Sequence, residues 1–136
     1  MANGTIAFDT LQTSDAKKSG TTQSLDTSYL YNGSAKAWSQ FTSETTTAKY
    51  DDFNIASYTD NATGDTTLTF TSNMNNALYC HPGSSGGVSN GNGVLFSLDQ
   101  STARTSSLFR VITFANSSGS SQDTPRNEIA VFGDLA

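Results

Sequence analysis

The run "KYDDFNIASYTDNATGDTTLTFTSNM", Lys49 to Met74, constrains the fold more than any other part of the chain. Phe53 and Ile55 alternate with polar residues on one side of an extended segment, and Leu68 and Phe70, continued by Ser72 and Met74, do so on another. Between them "TDNATGD" supplies the Asn, Asp and Gly that tight turns select, because these residues tolerate positive φ or hydrogen-bond their own backbone. A two-residue period broken by such a turn reads as a β-hairpin, since a helix cannot keep alternate residues on one face.

The remaining apolar runs have the same character. "VLFSL", "LFRVITFA" and "EIAVFG" are β-branched and aromatic and are separated by polar stretches. The middle one puts Phe109, Val111 and Thr113 on one face and Leu108, Arg110, Ile112 and Phe114 on the other. "ALYCHP" reads as a short strand that ends before Pro82, which lacks a ladder donor, with Cys80 a small half-buried residue in it. No stretch sustains a 3.6-residue apolar period. The expectation is an all-β fold: an antiparallel β-sandwich or barrel-like domain of seven or eight strands, spanning 33–136. A chain of 136 residues suits one such domain, which buries roughly two thirds of the surface its unfolded form exposes.

Two segments carry no apolar stripe. "GSSGGVSNGNG" has five glycines and Val88 as its one apolar residue. It reads as an exposed, mobile display loop made of Gly83, Ser84, Ser85, Gly86, Gly87, Ser89 and Asn90. Residues 1–32 hold apolar side chains too sparse for a core of their own and read as an extended arm and linker. Within the arm, Thr5, Ile6, Ala7, Phe8, Asp9, Thr10 and Leu11 suit one strand that takes its hydrogen-bond partners from a neighbouring subunit or a larger scaffold. "TSDAKKSGTTQS" is linker by composition, with "SDAKK" able to form one capped helical turn. The sole tryptophan, Trp38, follows in "GSAKAWSQF". On a strand, Ala35 and Ala37 face one way and Lys36 and Trp38 the other, less apolar way, so Trp38 is expected to contact a neighbouring subunit or the arm.

Composition narrows the chemistry. The chain has 20 Ser and 20 Thr, only 14% charged residues and a net charge of -5, with a pI near 4.4. Its one close cationic pair, Lys17 and Lys18, offers no stripe to neutralise phosphates, so no nucleic-acid partner is expected. A lone Cys80 allows neither an intrachain disulfide nor a cysteine-based zinc site. No apolar run reaches the length of a membrane span, and "MANGTIAFDT" lacks the order of a signal peptide, so the expectation is synthesis in a cytoplasm without membrane insertion.

The sole histidine, His81, lies in "CHPGSSGG", which has neither the Gly-x-Ser-x-Gly elbow nor a strand-to-helix setting, and reads as an exposed or half-packed turn residue. Asp51 and Asp52 point to opposite faces of a strand, and Asp60 and Asp65 sit where turns favour Asp for backbone bonding. "DNATGDTTLTF" lacks the ligand offsets of a calcium loop. The Asn-x-Ser/Thr triplets at Asn3, Asn32, Asn61 and Asn116 are accounted for by turn chemistry. No catalytic residue, metal ligand or cofactor is assigned, and the chain reads as a non-enzyme.

"GSAKAWSQF" together with "DDFNIASYTDNATGDTTLTFTSNM" resembles a domain that recurs in virion structural proteins of tailed phages, particularly marine and cyanobacterial ones, often labelled fibre-like. The likeness extends to "GTIAFDTLQTSD" and to "SSLFRVITFANSSGSSQDTPRNEIAVFGD", so nearly the whole chain is covered. One departure is "TSETTTAKY", which stands where such proteins carry a Gly-rich turn and a basic residue. The resemblance implies a place on the virion surface, with the chain itself, as a homotrimer, and the major capsid protein or another virion protein as partners. Two roles follow from it: capsid decoration, cementing the shell by bridging its subunits, or adhesion at a tail-fibre or head-fibre tip that contacts the host surface. The chain shows no shaft, coiled coil or repeat of the kind that projects a receptor-binding tip, which favours decoration.

Overall fold

The computed structural model describes residues 10–12, 24–44, 47–86, 94–98, 104–116 and 118–136. They fall in two compact units, Met1–Ser34 and Ala35–Ala136.

In the first unit β1 (Thr10–Gln12) pairs antiparallel with β2 (Ser24–Asp26), Leu11 opposite Leu25. A short helix, α1 (Thr27–Gly33), follows directly. Asp26 caps it by accepting a 2.8 Å hydrogen bond from the Ser28 amide, and this bonding holds its carboxyl below the usual carboxylate range. The Ser34 amide closes the other end on the Leu30 carbonyl at 3.1 Å. None of the helix's residues is buried, and Tyr29 is 70% exposed. This segment is a helix where the sequence suggested linker, because the capping Asp26 and a run without Pro or mid-helix Gly suffice for two turns.

The second unit is a sandwich of two four-stranded antiparallel sheets. Its strands are β3 (Ala37–Thr42), β4 (Ala48–Phe53), β5 (Ile55–Ala62), β6 (Asp65–Phe70), β7 (Gly83–Gly86), β8 (Val94–Leu98), β9 (Leu108–Ala115) and β10 (Arg126–Val131). One sheet runs β4-β3-β10-β7 and the other β5-β6-β9-β8. Alternation decides what each strand buries. On β9 Phe109, Val111 and Thr113 are fully covered while Leu108, Arg110, Ile112 and Phe114 are only half-buried, as the sequence pattern required. Ala37, Phe41, Ile129 and Val131 from one sheet meet Ile55, Leu68, Phe70 and Phe109 from the other, and Met74 and Tyr79 fill one end. Burying side chains of this size stabilises the fold by about 1.5–3 kcal/mol each.

The hairpin expected between Lys49 and Met74 exists as β5 and β6, joined through Ala62–Asp65. Phe53 and Ile55, however, do not share a strand face. Asn54 adopts φ 59, a left-handed conformation that asparagine tolerates, and the chain passes there from one sheet to the other. Phe53 is left 52% exposed on β4 and Ile55 is buried at the start of β5. The Asn54 side chain fixes the corner: its Nδ2 donates to the Lys36 carbonyl at 3.0 Å and the Ser72 carbonyl at 3.1 Å, and its Oδ1 accepts from the Ser72 amide at 2.6 Å. Lys36, expected on the outer face beside Trp38, is buried just before β3 begins.

Polar groups occupy one end of the sandwich interior. Thr124 donates its amide to Ser43 Oγ at 2.9 Å and its hydroxyl to Asn127 Oδ1 at 2.8 Å, and Ser85 Oγ reaches the same Asn127 oxygen at 2.6 Å. Because these buried groups satisfy one another, the Ser/Thr-rich strands can pack without the desolvation penalty that unpaired hydroxyls would incur.

Candidate functional site

The outward face of the β4-β3-β10-β7 sheet is built by register. Trp38 lies opposite Phe53 on one side and Ala130 on the other, and the Ala130 amide donates to the Pro82 carbonyl at 3.1 Å. One pleat further along, Gln40 lies opposite both Asp51 and Glu128, and Glu128 opposite Ser84. Side chains two residues apart on a strand share a face, so Phe53, Trp38, Ala130 and Pro82 form an apolar row beside a polar row of Asp51, Gln40, Glu128 and Ser84. Inward neighbours confirm the alternation: Ser39, Asn127, Ile129 and Val131 are buried.

The polar row is held in place. Gln40 Nε2 donates to Glu128 Oε1 at 2.7 Å, Ser84 Oγ lies 3.5 Å from Glu128 Oε2, and Asp51 Oδ1 accepts from the Asp52 amide at 2.9 Å. Between the rows runs an open groove of about 660 Å³, with Phe132 also on its wall. Trp38 remains 38% exposed there, so the sandwich itself does not cover it.

Asp52 turns to the opposite side, as expected of adjacent strand residues. Its Oδ2 accepts from the Tyr58 hydroxyl at 3.0 Å and pairs with Lys49 at 3.2 Å, and Ser39 Oγ lies 2.5 Å from the same hydroxyl. Burial, reinforced by the neighbouring Asp52 carboxylate, pushes the Tyr58 phenol well above its ordinary value, although the bond with Ser39 opposes the shift. Asp65 closes the hairpin turn, but its side chain does not serve the turn backbone. It opens β6, buried, and Arg110 grips both its carboxylate oxygens.

The sequence-derived sites fare differently. Gly83, Ser84, Ser85 and Gly86 are not a loop but strand β7, paired with Arg126 to Ile129. The sequence hid this because the strand's inward side chain is Ser85, which belongs to the buried polar cluster and leaves no apolar signal. Gly87, Ser89 and Asn90 lie outside the described residues, as do Thr5, Ile6, Ala7, Phe8 and Asp9. Thr10 and Leu11 already pair with β2 of their own unit, although each strand of a two-stranded ribbon retains one free edge. "ALYCHP" makes only an isolated bridge, Cys80 to Phe132, rather than a strand, and Cys80 is exposed.

His81 stacks on Phe109 at 5.2 Å between ring centroids, and neither of its ring nitrogens has a hydrogen-bond partner. Burial, with a smaller contribution from Arg104, holds its imidazole below the ordinary value. Tyr79, beside it, donates to the Thr105 and Leu108 carbonyls at 3.0 Å, and burial pushes its phenol up to about 12. Among the described residues no group of three His, Cys, Asp or Glu side chains gathers as a metal site would require, and no helix is long and apolar enough to cross a membrane.

The sequence reading placed Asp51 and Phe53 on a strand without assigning them to a site, and passed over Gln40 and Glu128. Gln40 and Glu128 are 88 positions apart, and only the β3–β10 pairing sets them side by side. Comparison with protein-family models, with curated proteins and with solved structures found no match to the chain.

Proposed function

We propose that this chain is a non-enzymatic structural protein of a tailed-phage virion, a decoration protein that sits on the capsid shell as a homotrimer and bridges capsid subunits. The observation that carries the reading is the division of labour along the chain. The sandwich completes its own core, whereas the described residues of the N-terminal unit form a two-stranded ribbon and a helix that buries none of its residues. Tyr29, Leu30 and Tyr31 are all exposed on it. Such a unit gains stability by adding strands or packing apolar surface against another chain. The resemblance of "GSAKAWSQF" and "DDFNIASYTDNATGDTTLTFTSNM" to phage virion proteins supplies the setting.

Decoration requires hundreds of copies per particle. Quantitative gel densitometry of purified virions is expected to show that number, and a handful of copies would overturn the role. Deleting residues 2–12 removes β1 and is expected to abolish incorporation into particles while the circular dichroism of the sandwich persists. Full incorporation of the truncated chain would show that the N-terminal segment is not the attachment device.

The exposed aromatic row at Trp38 and Phe53 favours a second reading, an adhesin whose outer face contacts the host surface. In that case excess soluble protein competes with infection.

A further inference from the structure

We infer that the groove beside Trp38 is a binding site for a neutral saccharide, a stretch of hexopyranose units laid across the β4-β3-β10-β7 sheet. The inference does not depend on where in the virion the chain sits. The groove has two walls of different chemistry. One is an aromatic and aliphatic floor, the exposed indole of Trp38 with Ala130, Pro82 and Phe132. The other is a row of oxygen acceptors, the carboxylates of Asp51 and Glu128 and the amide oxygen of Gln40, whose nitrogen is already committed to Glu128. The rows are two residues apart along each strand, about 6–7 Å, and successive members of a row are about 4.8 Å apart across strands.

A ligand that fits must therefore show a C–H face to the indole and, one ring-width away, several hydroxyl donors to the acceptors. A pyranose ring has that distribution: axial C–H bonds on one face and hydroxyls around its edge. Stacking on Trp38 supplies the apolar contact, and charge-assisted bonds to Asp51 and Glu128 supply direction. Among the described residues no Lys or Arg lines the groove, so it offers nothing to a uronate, sialate or phosphate, and the two carboxylates repel them. A purely cationic peptide is the weaker fit, because it engages only the carboxylates and leaves the Trp38, Ala130 and Pro82 side of the groove unmatched. The Gln40–Glu128 bond also holds both side chains in place before any ligand arrives, which reduces the ordering cost of binding.

Trp38 is the only tryptophan, so intrinsic fluorescence reports this groove alone. The full-length protein is titrated with maltohexaose, cellohexaose and N-acetylchitohexaose to about 10 mM, with polygalacturonate and hexalysine in parallel, and its mass is followed by sedimentation velocity. At least one neutral oligosaccharide is expected to shift the emission, and polygalacturonate is not. By calorimetry, Trp38→Ala is expected to abolish binding, Trp38→Phe to retain it within about tenfold, and Glu128→Gln to weaken it about tenfold, the equivalent of one charge-assisted hydrogen bond. All three substitutions lie on the outward face, and circular dichroism checks that the sandwich remains. Silence from all three neutral sugars overturns the inference. So does a response to hexalysine alone, which marks a cationic-peptide surface, or to polygalacturonate as strong as to the neutral sugars. Self-association that Trp38→Ala abolishes, without any sugar response, likewise overturns it and makes the face a subunit contact.

Discussion

Replacing Asn54 should cost the sandwich more than any other exposed or half-exposed asparagine, and the cost can be divided. Asn54→Ala removes three side-chain hydrogen bonds, two donated by Nδ2 and one accepted by Oδ1. At about 0.5–1.5 kcal/mol net per bond, this amounts to roughly 1.5–4.5 kcal/mol. The first of these bonds satisfies the carbonyl of the buried Lys36, which places the loss toward the upper end. The left-handed backbone at φ 59 adds about 1–2 kcal/mol for alanine. Asn54→Gly loses the same bonds and escapes the backbone penalty, but it gives back about 0.5–1 kcal/mol through the greater freedom of glycine in the unfolded chain.

The expected losses are therefore about 2.5–6.5 kcal/mol for Asn54→Ala and about 2–5.5 kcal/mol for Asn54→Gly, the alanine variant being the less stable by up to about 1.5 kcal/mol. Urea unfolding followed by Trp38 fluorescence and by far-ultraviolet circular dichroism measures both, and coincidence of the two probes checks two-state behaviour. A loss of this size lowers Tm by more than about 10 °C in a domain of about 100 residues. If Asn54→Ala costs under about 1 kcal/mol, the corner is not held by this side chain. If the glycine variant is less stable than the alanine variant by about 0.5–1 kcal/mol, the left-handed conformation carries no strain.

Gly64 and Gly119 make a second pair, both at positive φ, 68 and 66 respectively. A Cβ on Gly64 would lie 2.6 Å from the Gln122 amide nitrogen and 2.7 Å from the Thr113 carbonyl oxygen, whereas one on Gly119 meets nothing within 4 Å. Gly119→Ala should cost about 1–2 kcal/mol, the backbone term alone, and Gly64→Ala about 2 kcal/mol or more beyond that; equal losses in chemical denaturation would contradict the packed turn. For His81, burial depresses the folded-state pKa below the ordinary 6.5, so the unfolded chain binds the proton more readily. Its contribution to stability is complete above that value and is lost as pH falls toward the folded pKa. His81→Gln should flatten the stability profile between about pH 7 and 5, and an unchanged slope would show that the ring titrates without consequence.

The strands at Phe41, Leu68 and Val111 were legible because their period-two pattern is a property of the local chain, and a pleated strand that buries one face requires it. The β5–β6 turn was legible for the same kind of reason: Gly64 is the residue that can occupy that backbone conformation. β7 was not, since a strand whose inward residue is Ser85 is specified by its partners Asn127 and Thr124, some forty positions away. The corner at Asn54 looked like a continuous strand because alternation from Phe53 to Ile55 cannot record that the chain changes sheets between them.

The all-β class, the antiparallel hairpin and the outward direction of Trp38 thus follow from the order of residues along single segments. The neighbours of Trp38 do not. Asp51, Gln40 and Glu128 become one row only when β4, β3 and β10 lie side by side, and that arrangement is selected by burying the opposite face, Phe41, Ile129 and Val131, against the second sheet. Core packing is a property of the whole domain, so the groove it creates on the outside is written in the tertiary structure and not in any one stretch of sequence.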